Sequence, residues 1–184
     1  VNYRLTFQPG GGVIADPQEL VIYDNQFYDG WGNWSWTPTN ENSEEVVYSP
    51  TKSIAVDANP WAATMLGNWM LPLNRSDFRT LTCWANGGAV GGQRLTVSAN
   101  YNWAGTGSSI LTDPLPANTW TKLEIPLESL GITDSSLITG LVFANNSSDT
   151  LPRYYLDEVH LTTAYPSWIV FVNGSPAPVI TSAT

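Results

Sequence analysis

One aspartate of the sequence occupies a strand position at which a core residue is expected. In the stretch RYYLDEVHL, residues 153–161, counting by twos from Tyr155 places Asp157 in phase with Val159 and Leu161. This pattern predicts a half-buried strand whose Asp157 side chain points toward the core. Because an unpaired buried carboxylate is costly, Asp157 must be neutralised, paired or coordinated.

A second aspartate repeats the pattern near the start of the chain. In ELVIYDN, residues 19–25, Asp24 shares a phase with Leu20 and Ile22. No lysine or arginine lies in phase nearby, and calcium is a cation that binds carboxylate and carbonyl oxygens. We therefore expect Asp24 and Asp157 to share a bound calcium ion. The alternative is that each carboxylate accepts backbone N–H groups at the end of a strand.

The other residues that could form a site are aromatic. The 184-residue chain has nine tryptophans and eight tyrosines, more than a core of this size requires. A pyranose ring presents C–H bonds on its flat face and hydroxyls around its rim, so a sugar site needs aromatic plates flanked by hydrogen-bonding side chains. Trp31 and Trp34 are candidate plates, although Trp31, like Trp120, also suits a structural position. The tryptophans that we predict to bind the ligand are Trp84, Trp36, Trp61 and Trp69.

Trp84 belongs to a predicted hairpin with a polar outer face. Residues 80–86 (TLTCWAN) alternate so that Cys83 points inward and Trp84 outward. Residues 93–101 follow a glycine-rich turn, and their outward side chains are Thr96, Ser98 and Asn100. If the two runs pair, Trp84 and these three polar side chains form one sugar-binding surface.

Short strands at about ten-residue spacing predict the fold. The strands that alternation predicts are 20–24, 46–48, 52–57, 80–86, 93–101, 120–127, 136–144 and 153–161, whereas the polar segment 37–45 is predicted to be a loop. Turns of glycine, proline and asparagine separate the strands, and no helical periodicity extends over ten residues. We therefore predict an all-β antiparallel β-sandwich, a jelly roll, with its first and last strands side by side.

The length of the chain predicts one domain with a tail at each end. Residues 1–18 are predicted to form an N-terminal edge strand and a glycine-rich loop, and residues 19–162 the sandwich. Residues 163–184 are predicted to be a C-terminal extension or linker, with one apolar run at 168–172 that could add an edge strand.

Charge and composition exclude several classes of partner. The formal net charge is −9 with only seven lysines plus arginines, so neither a nucleic acid nor an anionic membrane is expected to bind. No run is long and apolar enough to span a bilayer. The neutral polar composition and the lack of a leader segment are typical of a mature secreted protein, so we expect an extracellular location. Cys83 is the only cysteine and is expected to be a buried core residue.

The glycosylation sequons are compatible with a eukaryotic secreted chain, although several would arise by chance in a sequence rich in asparagine and serine. They begin at Asn33, Asn74, Asn145, Asn146 and Asn173.

An ordered set of segments resembles a known type of protein. They are LVIYD, WGNWSW, TKSIAVD, TLTCWANGG, GQRLTVSAN, WTKLEIPLESLGI, ITGLVFANN and YYLDEVHL. Over about residues 19–161 the chain resembles secreted carbohydrate-binding modules of the galactose-binding-like, jelly-roll type, which are often attached to microbial and fungal enzymes that act on plant cell walls. The resemblance implies a non-catalytic β-sandwich with a structural calcium ion and a sugar site made of aromatic residues. Carried over residue by residue, the ion would contact Asp157, an acidic group near Asp24 and the backbone around Lys52.

We therefore expect a non-catalytic module that binds a neutral cell-wall polysaccharide or oligosaccharide of the β-glucan or xylan type. An attached catalytic domain in a longer chain is a partner that the resemblance implies. One alternative is a polysaccharide lyase or a glycoside hydrolase, and a hydrolase needs two carboxylates about 5 to 10 Å apart. Candidates for such a pair are Glu44, Glu45, Asp57, Glu124 and Glu158. Another alternative is a cell-surface lectin or a structural cell-wall protein.

Overall fold

The computed structural model describes residues 6–7, 13–14, 19–103, 105–163, 171–172 and 175–176. Within these ranges the chain forms β-strands and two short 3₁₀ helices, Arg75–Asp77 and Leu127–Leu130. The strands are β1 (Thr6–Phe7), β2 (Val13–Ile14), β3 (Glu19–Tyr23), β4 (Gly32–Asn33), β5 (Thr39–Ser43), β6 (Ser53–Val56), β7 (Ala63–Gly67), β8 (Leu73–Asn74), β9 (Phe78–Asn86), β10 (Thr96–Tyr101), β11 (Gly105–Leu111), β12 (Trp120–Pro126), β13 (Leu137–Ala144), β14 (Tyr154–Thr163), β15 (Phe171–Val172) and β16 (Ser175–Pro176). In this part of the chain no helix has the length and apolar character needed to cross a membrane.

Two antiparallel sheets pack against each other around one core. Sheet I has the strand order β12-β9-β14-β6-β5, and β3 also pairs with β14. Sheet II has the order β11-β10-β13-β7-β4, and β8 also pairs with β13. β14, the last long strand, lies beside β3, the first strand of the sandwich. The all-β antiparallel sandwich of the jelly-roll type, predicted from the sequence, is confirmed.

Alternation along the strands decides which side chains enter the core. In β9, Leu81, Cys83 and Ala85 are fully buried, and they meet Leu141 and Phe143 of β13 from the other sheet. Burying each large apolar side chain contributes roughly 1.5–3 kcal/mol, so the inward phase of every long strand is strongly specified. The opposite phase of each strand therefore faces away from the core.

β9 and β10 do not form the predicted hairpin. β9 pairs with β12 and β14 in sheet I, whereas β10 pairs with β11 and β13 in sheet II. Trp84 therefore lies on one outer face of the sandwich, and Thr96, Ser98 and Asn100 lie on the other. The prediction of one surface shared by these residues is wrong, because a period of two gives the face of a strand but not its neighbours.

Two segments in the first half of the chain also differ from the prediction. The polar segment Thr39–Ser43 is not a loop but the edge strand β5, which pairs with β6. An edge strand can form with few apolar side chains because backbone hydrogen bonds to one neighbour hold it. Residues 46–48 do not form the predicted strand and instead lie in the segment between β5 and β6. Alternation also failed to predict β11, whose residues are mostly small and polar.

Both predicted tails lie largely outside the described residues. Within them β1 pairs with β2 and β15 pairs with β16. Trp168, in the predicted apolar run 168–172, lies outside the described residues. The division into residues 1–18, 19–162 and 163–184 stays a prediction.

The buried position of Cys83 leads to a test of the core. Cys83 is fully buried, and this burial raises the pKa of its thiol to about 12. We expect the native protein to resist a thiol reagent at mildly alkaline pH and the denatured protein to react with one equivalent. Rapid labelling of the native protein would show that β9 is not packed as described.

Candidate functional site

The outer face of sheet II carries most of the exposed tryptophans. Residues 32–36 run alongside β7, where the Trp34 N–H donates to the Met65 carbonyl at 2.8 Å and the Trp36 N–H to the Ala63 carbonyl at 3.1 Å. Met65 and Ala63 belong to a small apolar cluster that is separate from the core. Alternation therefore places Trp34 and Trp36 on the outer side of the sheet, and both side chains are more than half exposed.

Three tryptophans meet at the end of β7. Trp34 lies directly over Gly67, where an added Cβ would come within 2.6 Å of Trp34 Cδ1. Trp69 stacks on Trp34, with the ring centroids 5.0 Å apart and the planes 8° from parallel. Trp103 donates its Nε1–H to the Trp69 carbonyl oxygen at 3.2 Å. All three rings keep about half of their surface exposed.

The polar row of β10 lies on the same face. Asn100 donates from Nδ2 to the Met65 sulfur at 3.6 Å, and its Oδ1 accepts from the Thr106 hydroxyl at 3.2 Å. Thr96 and Asn100 are partly exposed, whereas Ser98 is almost buried. The structure therefore brings together five predicted site residues on one face: Trp36, Trp69, Thr96, Ser98 and Asn100. We call this surface, with Trp34 and Trp103, the tryptophan face.

Trp61 borders the tryptophan face at its other end. Trp61 precedes β7, and its N–H donates to the Ser147 carbonyl at 3.2 Å. Its side chain is 67% exposed. The strand between Ala63 and Gly67 spans about 13 Å, so Trp61 and Trp69 mark opposite ends of the face.

Trp84 lies on the outer face of sheet I, where another ring covers it. Tyr48 stacks on Trp84 with the centroids 4.1 Å apart, and Trp120 meets Tyr48 edge-on at 5.8 Å. The strands on either side place Lys122 and Asp157 opposite Trp84. Trp84 is thus half-buried and uses one ring face to hold the segment between β5 and β6.

Asp157 does not point into the core as predicted. Asp157 pairs with Trp84 and His160 pairs with Thr82, so residues 158 and 159 together oppose residue 83 in a β-bulge. Glu158 adopts φ +48 at this bulge. The phase therefore changes between Asp157 and residue 159, and Asp157 shares the outer face with Trp84.

Asp157 is nonetheless completely buried, because the segment between β5 and β6 lies over it. Its Oδ2 accepts from the backbone N–H groups of Tyr48 at 2.9 Å and Ser49 at 3.2 Å. Its Oδ1 accepts from the Glu158 N–H at 2.9 Å and the Ser49 hydroxyl at 3.3 Å. Burial raises the pKa of the Asp157 carboxyl above its usual value, and these donors oppose that rise.

The predicted proximity of Asp24 and Asp157 is present. The Ser49 hydroxyl lies 3.0 Å from Asp24 Oδ1 and 3.3 Å from the Asp157 carboxylate. Glu158 is close by, and its pKa is raised by burial and by repulsion from Asp24. The third predicted ligand, Lys52, follows in the same segment, and its N–H donates to Asn25 Oδ1 at 2.9 Å.

Two of the candidate catalytic carboxylates are held by one arginine. Arg153 contacts Asp57 Oδ2 at 2.7 Å and Glu45 Oε2 at 3.0 Å beside a cavity of about 310 Å³. Hydrogen bonds from Tyr155 and Arg153 lower the pKa of Glu45, and those from Arg153 lower the pKa of Asp57. Both carboxyls are therefore kept ionised, whereas a hydrolase needs one of its pair protonated as a general acid.

Glu124 and Glu158 are also engaged, whereas Glu44 is exposed. Glu124 pairs with Lys122 at 2.5 Å, and the Glu158 carboxylate lies 3.0 Å from His160 Nε2. Glu124 lies on the edge strand β12, and Glu158 lies at the bulge of β14. Glu45 and Asp57 line the cavity beside Arg153, and the pKa of each is lowered, so neither suits the role of a general acid there.

Trp34 and Trp103 are not among the tryptophans predicted from the sequence to bind the ligand. The spacing of Trp34 and Trp36 in FYDGWGNWSW indicates a shared strand face, and this signal could have grouped them. Trp103 lies in a turn with φ +60, where no strand period applies. Its place beside Trp69 follows only from the tertiary structure.

No protein-family model matches the sequence, and a comparison with curated proteins finds no match either. The structure is similar to solved structures of carbohydrate-binding modules. A family 29 module from Piromyces equi is 11% identical, with 80% of this chain and 91% of that chain covered and a TM-score of 0.55. A family 29 variant complexed with mannohexaose is 10% identical, with 80% and 92% covered and a TM-score of 0.56.

A family 11 module of a cellulosomal cellulase from Clostridium thermocellum is also structurally similar to this chain. It is 17% identical, with 81% of this chain and 96% of that chain covered and a TM-score of 0.55. What is shared is the fold. At identities this low, structural similarity establishes only the sandwich architecture. The ligand must be argued from the residues of this chain.

The close packing of Trp34 on Gly67 can be tested with two matched alanine variants. In Gly67→Ala the new Cβ would displace Trp34 and break its stack with Trp69, because 2.6 Å is far below van der Waals contact. In Gly32→Ala, at the paired position of β4, the nearest atom is Trp34 Nε1 at 3.9 Å, an ordinary contact. We expect the circular-dichroism signal of the coupled indoles to be lost in Gly67→Ala and kept in Gly32→Ala. An unchanged signal in Gly67→Ala would contradict the stacked arrangement.

Proposed function

We propose that the chain is a non-catalytic carbohydrate-binding module whose tryptophan face binds a neutral cell-wall polysaccharide of the β-glucan or xylan type. The observation that carries this proposal is the combination, on one open face, of stacked and half-exposed indoles with the polar row of β10. Aromatic rings can pack on the C–H face of a pyranose while hydroxyls and amides bind its rim. Thr96 and Asn100 are placed for the second role.

The fold and the charge support the same function. The solved structures with this fold include carbohydrate-binding modules complexed with mannohexaose and with cellulohexaose. A net charge of −9 would repel a polyuronate and favours a neutral chain. The ionised state of Glu45 and Asp57 weakens the hydrolase alternative. An extracellular location and an attached catalytic domain complete the proposal and rest on the resemblance to secreted modules.

Two tryptophan variants test where the sugar binds. Trp69→Ala removes an exposed ring of the tryptophan face, so we expect affinity for the best soluble glycan to fall by about tenfold or more, since burying a ring contributes roughly 1.5–3 kcal/mol. Trp84→Ala removes the ring under Tyr48, so we expect a lower melting temperature with the affinity of the folded protein unchanged. Titration calorimetry with soluble β-glucan, xylan and mannan oligosaccharides measures both variants.

The opposite pattern would place the site elsewhere. Unchanged affinity in Trp69→Ala would remove this ring from the site, and loss of binding in a folded Trp84→Ala protein would assign the site to sheet I. Sugar release from any of these glycans, lost on changing Glu124 or Glu158, would instead support an enzyme.

We further propose that a structural calcium ion binds near Asp24 and Asp157. The oxygens that converge on the Ser49 hydroxyl are of the hard type that calcium prefers, and no lysine or arginine bond to either aspartate is found in the described part. Lys52 could contribute only its backbone carbonyl, because its ammonium donates to Asn42. Two observations weigh on the other side: Asp157 already accepts four hydrogen bonds, and no three acidic, histidine or cysteine side chains in the described residues enclose an ion.

Thermal unfolding with and without calcium tests the ion. At a calcium concentration about 100 times the Kd, binding of the ion adds roughly 2.7 kcal/mol to the free energy of unfolding. This increase raises the melting temperature by several degrees in a chain of this length. Asp24→Asn should abolish this response, and Asp113→Asn, in the loop before β12, should keep it. Identical melting curves in chelator and in millimolar calcium would mean that backbone donors alone satisfy Asp157.

A further inference from the structure

A turn at the end of β7 presents apolar side chains to solvent. Trp69, Met70 and Leu71 are 48%, 85% and 61% exposed. Trp103 lies against this turn through its bond to the Trp69 carbonyl. We call these four residues the apolar tip. Single exposed apolar residues are ordinary, but a contiguous group of them marks a contact surface.

The apolar tip is held on a rigid base. Asn68 is almost completely buried; its Nδ2 donates to the Asp29 carbonyl at 2.9 Å and its Oδ1 accepts from the Leu71 N–H at 2.9 Å. Its own N–H donates to the Thr139 carbonyl at 2.9 Å. A buried amide with these bonds fixes the turn, so the tip is presented in one shape and little entropy is lost when it binds.

The chemistry of the tip restricts what it can contact. Met70 and Leu71 offer a sugar hydroxyl no strong partner, because a thioether sulfur is only a weak acceptor, and the indole N–H of Trp103 is already used. Most of the tip's surface is apolar, so the tip gains free energy mainly by covering an apolar surface. No side chain of the tip is charged, so an ionic partner would find no complement there.

The tip is continuous with the tryptophan face, because Trp69 stacks on Trp34. In an insoluble polysaccharide, neighbouring chains bond each other's hydroxyls and leave flat C–H surfaces exposed. A single soluble chain keeps its hydroxyl rim hydrated and offers Met70 and Leu71 little. Self-association through the tip is disfavoured by the net charge of −9 on each copy.

We propose that the apolar tip binds the flat face of a packed, insoluble polysaccharide, in addition to the binding of single chains along the tryptophan face. This inference rests on the proposed function. The tip thus makes retention on an insoluble polysaccharide separable from affinity for a soluble chain.

A double variant separates the two kinds of binding. Met70→Gln with Leu71→Gln removes the apolar contacts and leaves the Asn68 base, Trp34 and Trp69 in place. The matched control is Val90→Gln, because Val90 is 71% exposed in the turn after β9, at the opposite end of the sandwich. Each protein is measured by depletion onto crystalline cellulose and insoluble mannan, and by calorimetry with soluble cellohexaose and mannohexaose.

We expect the double variant to partition at least about tenfold less onto the insoluble polysaccharide that the wild type binds, because losing the burial of even one large apolar side chain would give a change of that size. Its affinity for the soluble oligosaccharides and its melting temperature should be unchanged, as should every property of Val90→Gln. Unchanged retention would overturn the proposal. Equal loss of soluble and insoluble binding would also overturn it, because the tip would then belong to the single-chain site.

Two further outcomes are decisive. A wild-type dimer that the double variant converts to a monomer would assign the tip to self-association and overturn the inference. Soluble binding without retention on either solid would overturn the inference and leave the proposed function intact. If the wild type bound no glycan in either form, the proposed function would fail with it.

Discussion

The buried carboxylate of Asp157 is the constraint that shapes one half of the molecule. A fully buried carboxylate is tolerated only if donors replace the water it has lost. The backbone of Tyr48 and Ser49 supplies these donors and can do so only by lying across the outer face of sheet I. The same segment carries the Tyr48 ring onto Trp84. The outer face of sheet I is thereby covered around Trp84 and Asp157.

The outer face of sheet II is shaped by two glycines. Gly67 and Gly140 are paired across β7 and β13. A Cβ on Gly67 would collide with Trp34, and one on Gly140 would come within 2.6 Å of the Met65 side chain. These two positions let a large ring and a flexible thioether lie against the sheet, so the face stays open and lined with aromatic side chains. The outer face of sheet II is therefore more open than the part of sheet I around Trp84.

Much of this architecture could be predicted from the sequence because it depends on alternation and composition. The inward phase of Leu81, Cys83 and Ala85 follows from a period of two, and the proximity of Asp24 and Asp157 follows from first and last strands that lie together. The separation of β9 from β10 could not be predicted, because the glycine-rich turn between them suits a hairpin as well as a crossing between sheets. Which strands pair with each other is decided by tertiary packing and not by the pattern within one strand.

The bulge at Glu158 was hidden for a related reason. Positive φ usually calls for glycine or asparagine, and a glutamate at φ +48 leaves no mark in the sequence. One extra residue there changes the phase between Asp157 and Val159. Asp157 therefore lies on the outer face, although strict alternation predicts the core face. The outward phase of Trp84 was predicted correctly, but its stacking with Tyr48 was not, because Tyr48 belongs to a segment predicted to be a strand.

The proposed binding of sugar to the open face of sheet II, and not to sheet I, can be tested by observing each indole separately. The most direct measurement is an NMR titration of the ¹⁵N-labelled indole N–H groups with cellohexaose or mannohexaose. We expect the signals of Trp34, Trp36 and Trp69 to shift together and to saturate at the same ligand concentration, while those of Trp84, Trp120 and the buried Trp31 stay in place. Shifts confined to Trp84 and Trp120, with the signals of the tryptophan face unmoved, would contradict it.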